Sequence, residues 1–310
     1  MVRRILVISE NTYREAVRAR VLHGLFGLAL ATAAYALVVG QFALRESLRV
    51  VSDLGSASIS LYAVIVAIVL GATSLYRELE LKTLFPILAR PIRRSEYLVG
   101  KYLGTVLTLA VFVAANAGAL LLALAYLSER SVAVVLAAGV GSSVVFALAA
   151  WKLPRHRTVL PIPWALVILI VGYLLADGAP DDRRVVFGGA LLTLCEVCVV
   201  AAVATVFSSF SSPFLTAVLT FGIFVVGRSA DTLARLPPRV FGDSIHSVGV
   251  LLSKVVPNLM LYVPPRELLT GEAPGSGFAN YALLAAAQAV AWTVCLLALA
   301  SMIFKRRDFL

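Results

Sequence analysis

The chain has 310 residues, of which 60% are hydrophobic and 14% are charged, and its formal net charge is +10. Soluble domains are about 45–50% apolar and about 25% charged, so this chain has too little charge to cover the surface of a soluble protein of its size. Its hydrophobicity also excludes a disordered chain. The positive charge fits either a nucleic-acid-binding protein or a membrane protein with an uneven charge distribution, and the positions of the charges decide between them.

The N-terminal residues 1–20 predict an amphipathic helix. Apolar or small side chains recur at three- to four-residue spacing on one face, and arginines lie towards the other face: Val2, Ile5, Leu6, Ser9, Tyr13, Ala16 and Val17 against Arg3, Arg4, Arg14 and Arg18. Such a helix lies in the membrane interface with its basic side towards the lipid head groups. The alternative is that these residues are simply a basic N-terminal segment, whose arginines keep it on the cytoplasmic side of the membrane.

Eight apolar runs follow. A membrane-spanning helix needs about 20 mostly apolar residues, and runs near this length lie at 21–44, 57–75, 102–127, 132–151, 158–176, 185–207, 213–228 and 280–304. The run at 213–228 is short for a span. We therefore expect an all-α, polytopic membrane protein with about eight transmembrane helices.

The charges between these runs are divided unevenly. If the N-terminus is inside, the cytoplasmic segments hold 17 basic and 6 acidic residues, a net charge of +11, whereas the external segments hold 10 of each. Basic residues collect on the cytoplasmic side of membrane proteins. We expect both termini to be cytoplasmic, and nucleic-acid binding is excluded as the reason for the basic charge.

The inside segment 76–101 carries hydrophobic side chains that belong to no apolar run: Leu79, Leu84, Phe85, Ile87 and Leu88. A solvated linker has no need of them, whereas a short amphipathic helix that docks into a groove on a cytoplasmic partner does. Pro91 then breaks this helix, and Ser95 and Glu96 begin the next one in a cap-like manner.

Two of these segments carry a resemblance to a known family. Residues 1–20 resemble the elbow helix of ABC-2-type transporter permeases, and 76–101 is similar to the family signature that follows the second span. The residues that fit it are Glu78, Glu80, Thr83, Leu84, Arg90, Pro91, Arg94, Gly100 and Lys101, while Lys82 stands where the family often has Gly. The serine-rich turn Ser208–Ser212 and the C-terminal 304–309 also resemble the family.

The resemblance implies a transmembrane permease domain at 21–310 within an exporter of the cell (inner) membrane. It implies two permease copies, identical or different, and two separate ATPase subunits, with 76–101 as the coupling segment and Phe85 among its contact residues. Family members commonly have six spans, whereas 128–177 adds an apparent hairpin here. Six spans with a re-entrant or interfacial middle is therefore the alternative to eight. From the charge distribution we expect residues 228–279 to form a long extracytoplasmic loop, with an amphipathic helix at 244–256.

ATP hydrolysis is not expected on this chain. Its only Gly-Lys pair, Gly100–Lys101, is followed by Tyr102 and lacks the earlier glycine of a Walker A motif. The three histidines are not spaced as metal ligands are. We expect no catalytic residue, no cofactor and no metal.

Glu196 is the one clear ionisable residue inside a predicted span. Because a carboxylate is costly to place in a bilayer, its presence there suggests a functional role. It would line a substrate path or contact a cation. The alternative is a neutral or hydrogen-bonded Glu packed against Thr193 or Thr205. Arg228 ends an apolar run, where snorkelling or capping explains it.

Two other classes remain. An ion- or proton-driven secondary transporter would carry several intramembrane charges and broken helices in corresponding halves. A membrane enzyme would need His, Asp or Ser clustered at the membrane face. The sequence displays neither pattern, so an ABC-2-type permease is the leading hypothesis, with a secondary transporter, or another multi-pass protein without an ATPase, as the alternative.

Overall fold

The computed structural model describes residues 2–43, 46–80, 93–236, 243–272 and 277–306, and for 75–80, 245 and 305–306 it describes the backbone alone. These residues contain no β-strand, which confirms the all-α class. They form twelve helices: α1 (Val2–Arg18), α2 (Arg20–Phe42), α3 (Ser47–Glu80), α4 (Arg94–Leu127), α5 (Val132–Lys152), α6 (Pro161–Leu175), α7 (Pro180–Ser208), α8 (Pro213–Arg228), α9 (Ala230–Ala234), α10 (Asp243–Val255), α11 (Arg266–Thr270) and α12 (Phe278–Arg306).

Each of the eight predicted apolar runs forms a helix. Within the described part of the chain, seven helices are long and apolar enough to cross a bilayer: α2, α3 as far as Ser74, α4, α5, α6 with its continuation to Gly178, α7, and α12 as far as Phe304. The eighth run forms α8, which has 16 residues. It is shorter than the roughly 20 residues that a straight crossing needs.

Local sequence explains where several helices begin and end. Pro180 is the first residue of α7, and Asp181 and Asp182 in its first turn suit the positive end of the helix dipole. Ser212 caps α8, since its hydroxyl accepts a hydrogen bond from the Leu215 amide at 3.5 Å. Gly271, at a φ of 86°, ends α11.

The centre of the bundle is built from α3, α4 and α7, which pack against one another along most of their length. At Gly71, a Cβ would lie 2.4 Å from the Cβ of Ala204, so α3 and α7 approach closely only because no side chain is present there. By contrast, the apolar part of α5 buries none of its residues, and α2 and α12 bury few. A large apolar surface of this kind suits lipid and not water.

The chain has two distinct ends. Helix α1 packs against the start of α4, beside α3 at Ser74 and the last turns of α12 at Phe304, and we call this the α1 end. The starts of α3 and α7 lie at the opposite end. The short helices α9 to α11, which follow α8 and precede α12 in the chain, pack over this end. Helix α10 is the amphipathic helix predicted at 244–256.

Candidate functional site

At the α1 end, Lys101 joins α4 to α3. Its side chain is almost completely buried, and its ammonium donates hydrogen bonds to the backbone oxygen of Ser74 at 2.8 Å and to the Ser74 hydroxyl at 3.3 Å. A buried ammonium is stable only with such acceptors. Lys101 therefore fixes the start of α4 to α3 a short distance before α3 ends at Glu80.

Arg94, in the first turn of α4, makes a second connection. Its Nη1 donates to the backbone oxygen of Phe304 in α12 at 3.2 Å. The ring of Phe304 is buried in a small apolar cluster together with Tyr97, Leu98, Val206 and Ala300. The first turns of α4 are thus held to α12 and α7 by a hydrogen bond and by apolar packing.

Helix α1 lies against the same stretch of α4, across two glycines. A Cβ at Gly100 would lie 2.8 Å from Ile8, and one at Gly104 would lie 2.5 Å from the backbone oxygen of Ser9. Only glycine allows the two helices to come this close. Arg4 adds a contact of 3.9 Å to the buried carboxylate of Glu96.

The amphipathic face of α1 differs from the predicted one. Ser9, Tyr13 and Ala16 are buried against the bundle as expected, whereas Val2 and Leu6 are exposed. The helix therefore presents one side to protein and a second apolar side outwards. Burial raises the pKa of Tyr13 to about 12.

The predicted coupling residues are placed unevenly. Arg94 and Lys101 lie at the junction just described. Glu78 and Glu80 lie in the last turn of α3, where only the backbone is described. The remaining predicted contact residues lie outside the described residues: Thr83, Leu84, Phe85, Arg90 and Pro91.

In the middle of the bundle, Glu196 forms an ion pair with Arg228. Glu196 is 0% exposed. The Arg228 Nε donates to its Oε1 at 2.7 Å, and the Arg228 Nη2 donates to its Oε2 at 2.9 Å. Ser60 of α3 joins the pair, because its hydroxyl accepts from Nη2 at 2.8 Å and donates to Oε2 at 3.2 Å. Three helices, α3, α7 and α8, therefore meet at one charged cluster.

The shortness of α8 explains how Arg228 comes to this depth. With a rise of 1.5 Å per residue, Arg228 lies about 22 Å along α8 from Pro213, and Glu196 lies about 18 Å along α7 from Ser208. The two residues are therefore level within the bundle. The interpretation of Arg228 as a snorkelling or capping residue is wrong, since its guanidinium binds Glu196. Glu196 is hydrogen-bonded, as one of the two interpretations of this residue predicted. Its partners are Arg228 and Ser60, however, and not Thr193 or Thr205.

The chain matches the model of a family described as ABC-2 family transporter protein, over residues 6–309. The chain belongs to the ABC-2 transporter family. It is a multi-pass membrane protein of the permease type, as the resemblance of its N-terminal helix and its 76–101 segment implies. No individual curated protein matches the chain.

This ABC-2 permease carries a charged cluster at the opposite end as well. Arg266, at the start of α11, binds Asp53 of α3 and Asp182 of α7, each at 2.5 Å. Burial lowers the pKa of Arg266, but the hydrogen bond to Asp182 and the charges of both carboxylates outweigh this effect and raise it. Arg266 also donates to Ser52, so the first turns of α3, α7 and α11 are tied together.

A cavity of about 650 Å³ extends between the two clusters of the permease. Arg228 and Ser60 line its inner part, and Arg266 and Asp53 line its outer part. Within the described residues, no group of three or more His, Cys, Asp or Glu side chains is arranged to hold a metal ion.

Sequence reasoning singled out Glu196 but missed Ser60 as its neighbour and Arg228 as its partner. One signal was present. Arg228 closes a 16-residue apolar run, and a charge at the end of a run too short to reach the far interface must find a partner within the bundle.

Proposed function

We propose that this ABC-2 protein is the membrane-spanning subunit of an ATP-driven exporter, and that segment 76–101 couples it to a separate ATPase. The observation that carries the proposal is the Lys101–Ser74 hydrogen bond. It ties together α3 and α4, the two helices between which the coupling segment runs. A force on that segment is therefore transmitted to both helices at once.

The mechanism follows from the connections at the α1 end. An ATPase that engages 81–92 pulls on the last turn of α3 and on the first turn of α4. Because Arg94 binds Phe304 and Lys101 binds Ser74, the movement passes to α12 and to the centre of the bundle. Rigid helices that move as a group are the usual carriers of such transitions.

The proposed orientation has the α1 end in the cytoplasm of the cell (inner) membrane, with both termini inside. The charge distribution of the sequence supports it. We propose eight spans, of which α8 is the short one, with 228–279 on the external side and α1 as the interfacial elbow helix. Two such subunits, identical or different, pair with two ATPases. The ATPases hydrolyse ATP, because this chain has no Walker A motif.

A secondary transporter remains the second candidate, because a buried intramembrane carboxylate, Glu196, is the kind of residue that such proteins use. Its ion pair with Arg228 speaks against it, since the guanidinium competes with a cation or a proton for this carboxylate. Transport that follows an imposed proton gradient in vesicles without ATP or any ATPase would establish this alternative.

The test of the proposal is affinity purification of the tagged chain from its native membrane. We expect a Walker A-containing ATPase to co-purify in stoichiometric amount, and to be lost when Glu78, Glu80 and Arg94 are replaced together by Gln. Because Arg94 also binds Phe304, the double variant Glu78→Gln/Glu80→Gln is tested separately. Retained assembly and retained ATPase stimulation in the triple variant would overturn the coupling role of this segment.

The matched control replaces the three charged residues of another exposed loop at the α1 end, Lys152, Arg155 and Arg157, by Gln. We expect this variant to keep the ATPase. An equal loss in both triple variants would mean that general charge, and not segment 76–101, holds the partner.

A further inference from the structure

The cavity between the two charged clusters has the character of a ligand site. Its volume of about 650 Å³ lies within the range of small-molecule pockets, roughly 300–1,000 Å³. One face of α3 forms a wall: Asp53, Ser56, Ala57, Ser60 and Leu61 recur at helical spacing over about 10–12 Å of its length. The wall therefore runs from the charges at the opposite end down to the Glu196–Arg228 pair.

The inner part of the cavity offers hydrogen-bond donors. Glu196 engages the Nε and Nη2 of Arg228, whereas Nη1 makes no hydrogen bond within the described part of the chain. The Arg228 side chain is 25% exposed, although it lies level with the buried Glu196. A guanidinium has donors only, so this nitrogen requires an acceptor.

A second, independent observation concerns Tyr262, which also lines the cavity. The residue is 3% exposed, and its hydroxyl has no hydrogen-bond partner among the described residues. Buried polar groups in proteins are nearly always paired. A guanidinium nitrogen and a tyrosine hydroxyl that both have no partner among the described residues therefore belong to the lining of one cavity, which is the pattern of a site for a bound molecule.

Most of the remaining lining is apolar, apart from Ser56 and Thr193. Several helices and the segment before α11 contribute it: Ala57, Leu61, Val185, Phe224, Val263 and Leu269. Leu61 is 54% exposed, so the cavity wall also reaches the outer surface of the bundle. An apolar body fits this lining, and a polar end that accepts hydrogen bonds fits Arg228.

We infer that this cavity binds an amphiphile whose polar end is an oxyanion, a carboxylate or a phosphate, held by Arg228, and whose apolar body lies along α3. Glu196 holds the guanidinium in place and reduces its net charge, so the oxyanion is bound by directed hydrogen bonds and not by a general positive field. The interpretation of this ligand as cargo rests on the proposed exporter function, whereas the binding site itself does not.

The test measures binding of radiolabelled octyl phosphate to the purified permease in lipid nanodiscs, with empty nanodiscs to subtract partitioning. Unlabelled octyl phosphate, octanoate, octanol and octylamine are compared as competitors. Octyl phosphate and octanoate distinguish the two oxyanions, and octanol and octylamine separate the effect of the head-group charge from that of the shared alkyl chain. We expect saturable binding in which octyl phosphate or octanoate competes at least about tenfold better than octylamine, because the guanidinium offers no acceptor. The absence of saturable binding, or equal competition by all four probes, would overturn the inference.

The location is tested with Ala57→Trp, which fills the cavity from α3 and leaves both residues of the ion pair unchanged. We expect at least a tenfold weaker binding, and unchanged binding in the control Val218→Trp, which adds the same ring on the exposed surface of α8. Should Ala57→Trp fail to fold, Leu61→Trp fills the same cavity from its more open side. Undiminished binding in a folded, cavity-filled variant would contradict the site.

Neither measurement contains ATP or an ATPase, so its outcome is separate from that of the proposed function. Lost binding with a retained ATPase would remove the ligand site alone. Retained binding without any ATPase partner would remove the exporter proposal and leave the site.

Discussion

Glu196 and Arg228 share two hydrogen bonds, of 2.7 and 2.9 Å, in the middle of a bundle whose surface is apolar. One residue belongs to α7 and the other ends α8, so the pair fixes the depth of the short helix against its longer neighbour. Ser60 connects both to α3. The geometry of the middle of the bundle therefore depends on a charged contact and not only on apolar packing.

The ion pair predicts a non-additive effect on stability. Glu196→Gln and Arg228→Gln each leave an unpaired polar or charged group in a buried position, and each is expected to lower the unfolding free energy by about 3–5 kcal/mol. The double variant is expected to lose much less than the sum. Unfolding of purified protein in mixed micelles, followed by circular dichroism, measures all three, and a double variant that equals the sum would contradict the pairing.

Lys101→Met tests the connection between α3 and α4. Removal of a charge-assisted hydrogen bond is expected to lower stability by about 1.5–3 kcal/mol, because the Ser74 oxygen loses its bound ammonium. Lys152→Met, at an exposed position of α5, removes the same charge as a control and should change stability little. Equal melting temperatures for the two variants would show that Lys101 does not hold the helices together.

The close approach of α1 to α4 predicts that Gly104→Leu displaces α1. The new side chain meets the Ser9 backbone, so the amides of α1 should exchange hydrogen at least about tenfold faster, as local opening becomes easier. Gly27→Leu, where nothing lies within 4 Å of the added Cβ, is the matched control. Unchanged exchange in α1 of the Gly104 variant would mean that α1 does not pack across this glycine.

Tyr13 predicts an alkaline loss of stability. Its pKa is raised by burial from 10.0 to about 12, so the stability that neutral Tyr13 contributes is complete below about pH 10 and is lost as the pH rises through about 12. Tyr13→Phe has no proton to lose. Its melting temperature, compared with that of the wild type at pH 9 and 11.5, should fall less steeply, and parallel curves would exclude the effect.

The sequence predicted the helices well because their apolar runs are long. The apolar runs are nevertheless shorter than the helices that contain them. Helix α3 extends from Ser47 to Glu80, beyond both ends of the run at 57–75, and α4 begins at Arg94, before the run at 102–127. Hydropathy reports the part of a helix that suits lipid, whereas its polar turns continue into the interface. The order of the long apolar helices was therefore predictable, but their ends were not.

The candidate site was predictable only in part. The family pattern singled out Arg94 and Lys101, and the cost of a charge in a bilayer singled out Glu196, but their roles stay predictions. The partners of Glu196 did not follow, because they lie on α3 and α8, and their meeting depends on the relative depth of three helices. The cavity beside them depends on the segment before α11, which has no periodic pattern to read.

The coupling of segment 76–101 to a separate ATPase is tested most directly by site-specific photo-crosslinking. A p-benzoylphenylalanine is placed at the position of Phe85, and in a control at Leu153 of the exposed loop at the same end of the bundle. The account predicts an adduct between the chain and an ABC ATPase from Phe85, with a yield that changes when ATP is added, and none from Leu153. An ATPase adduct that forms equally from both positions, or from Leu153 alone, would contradict it.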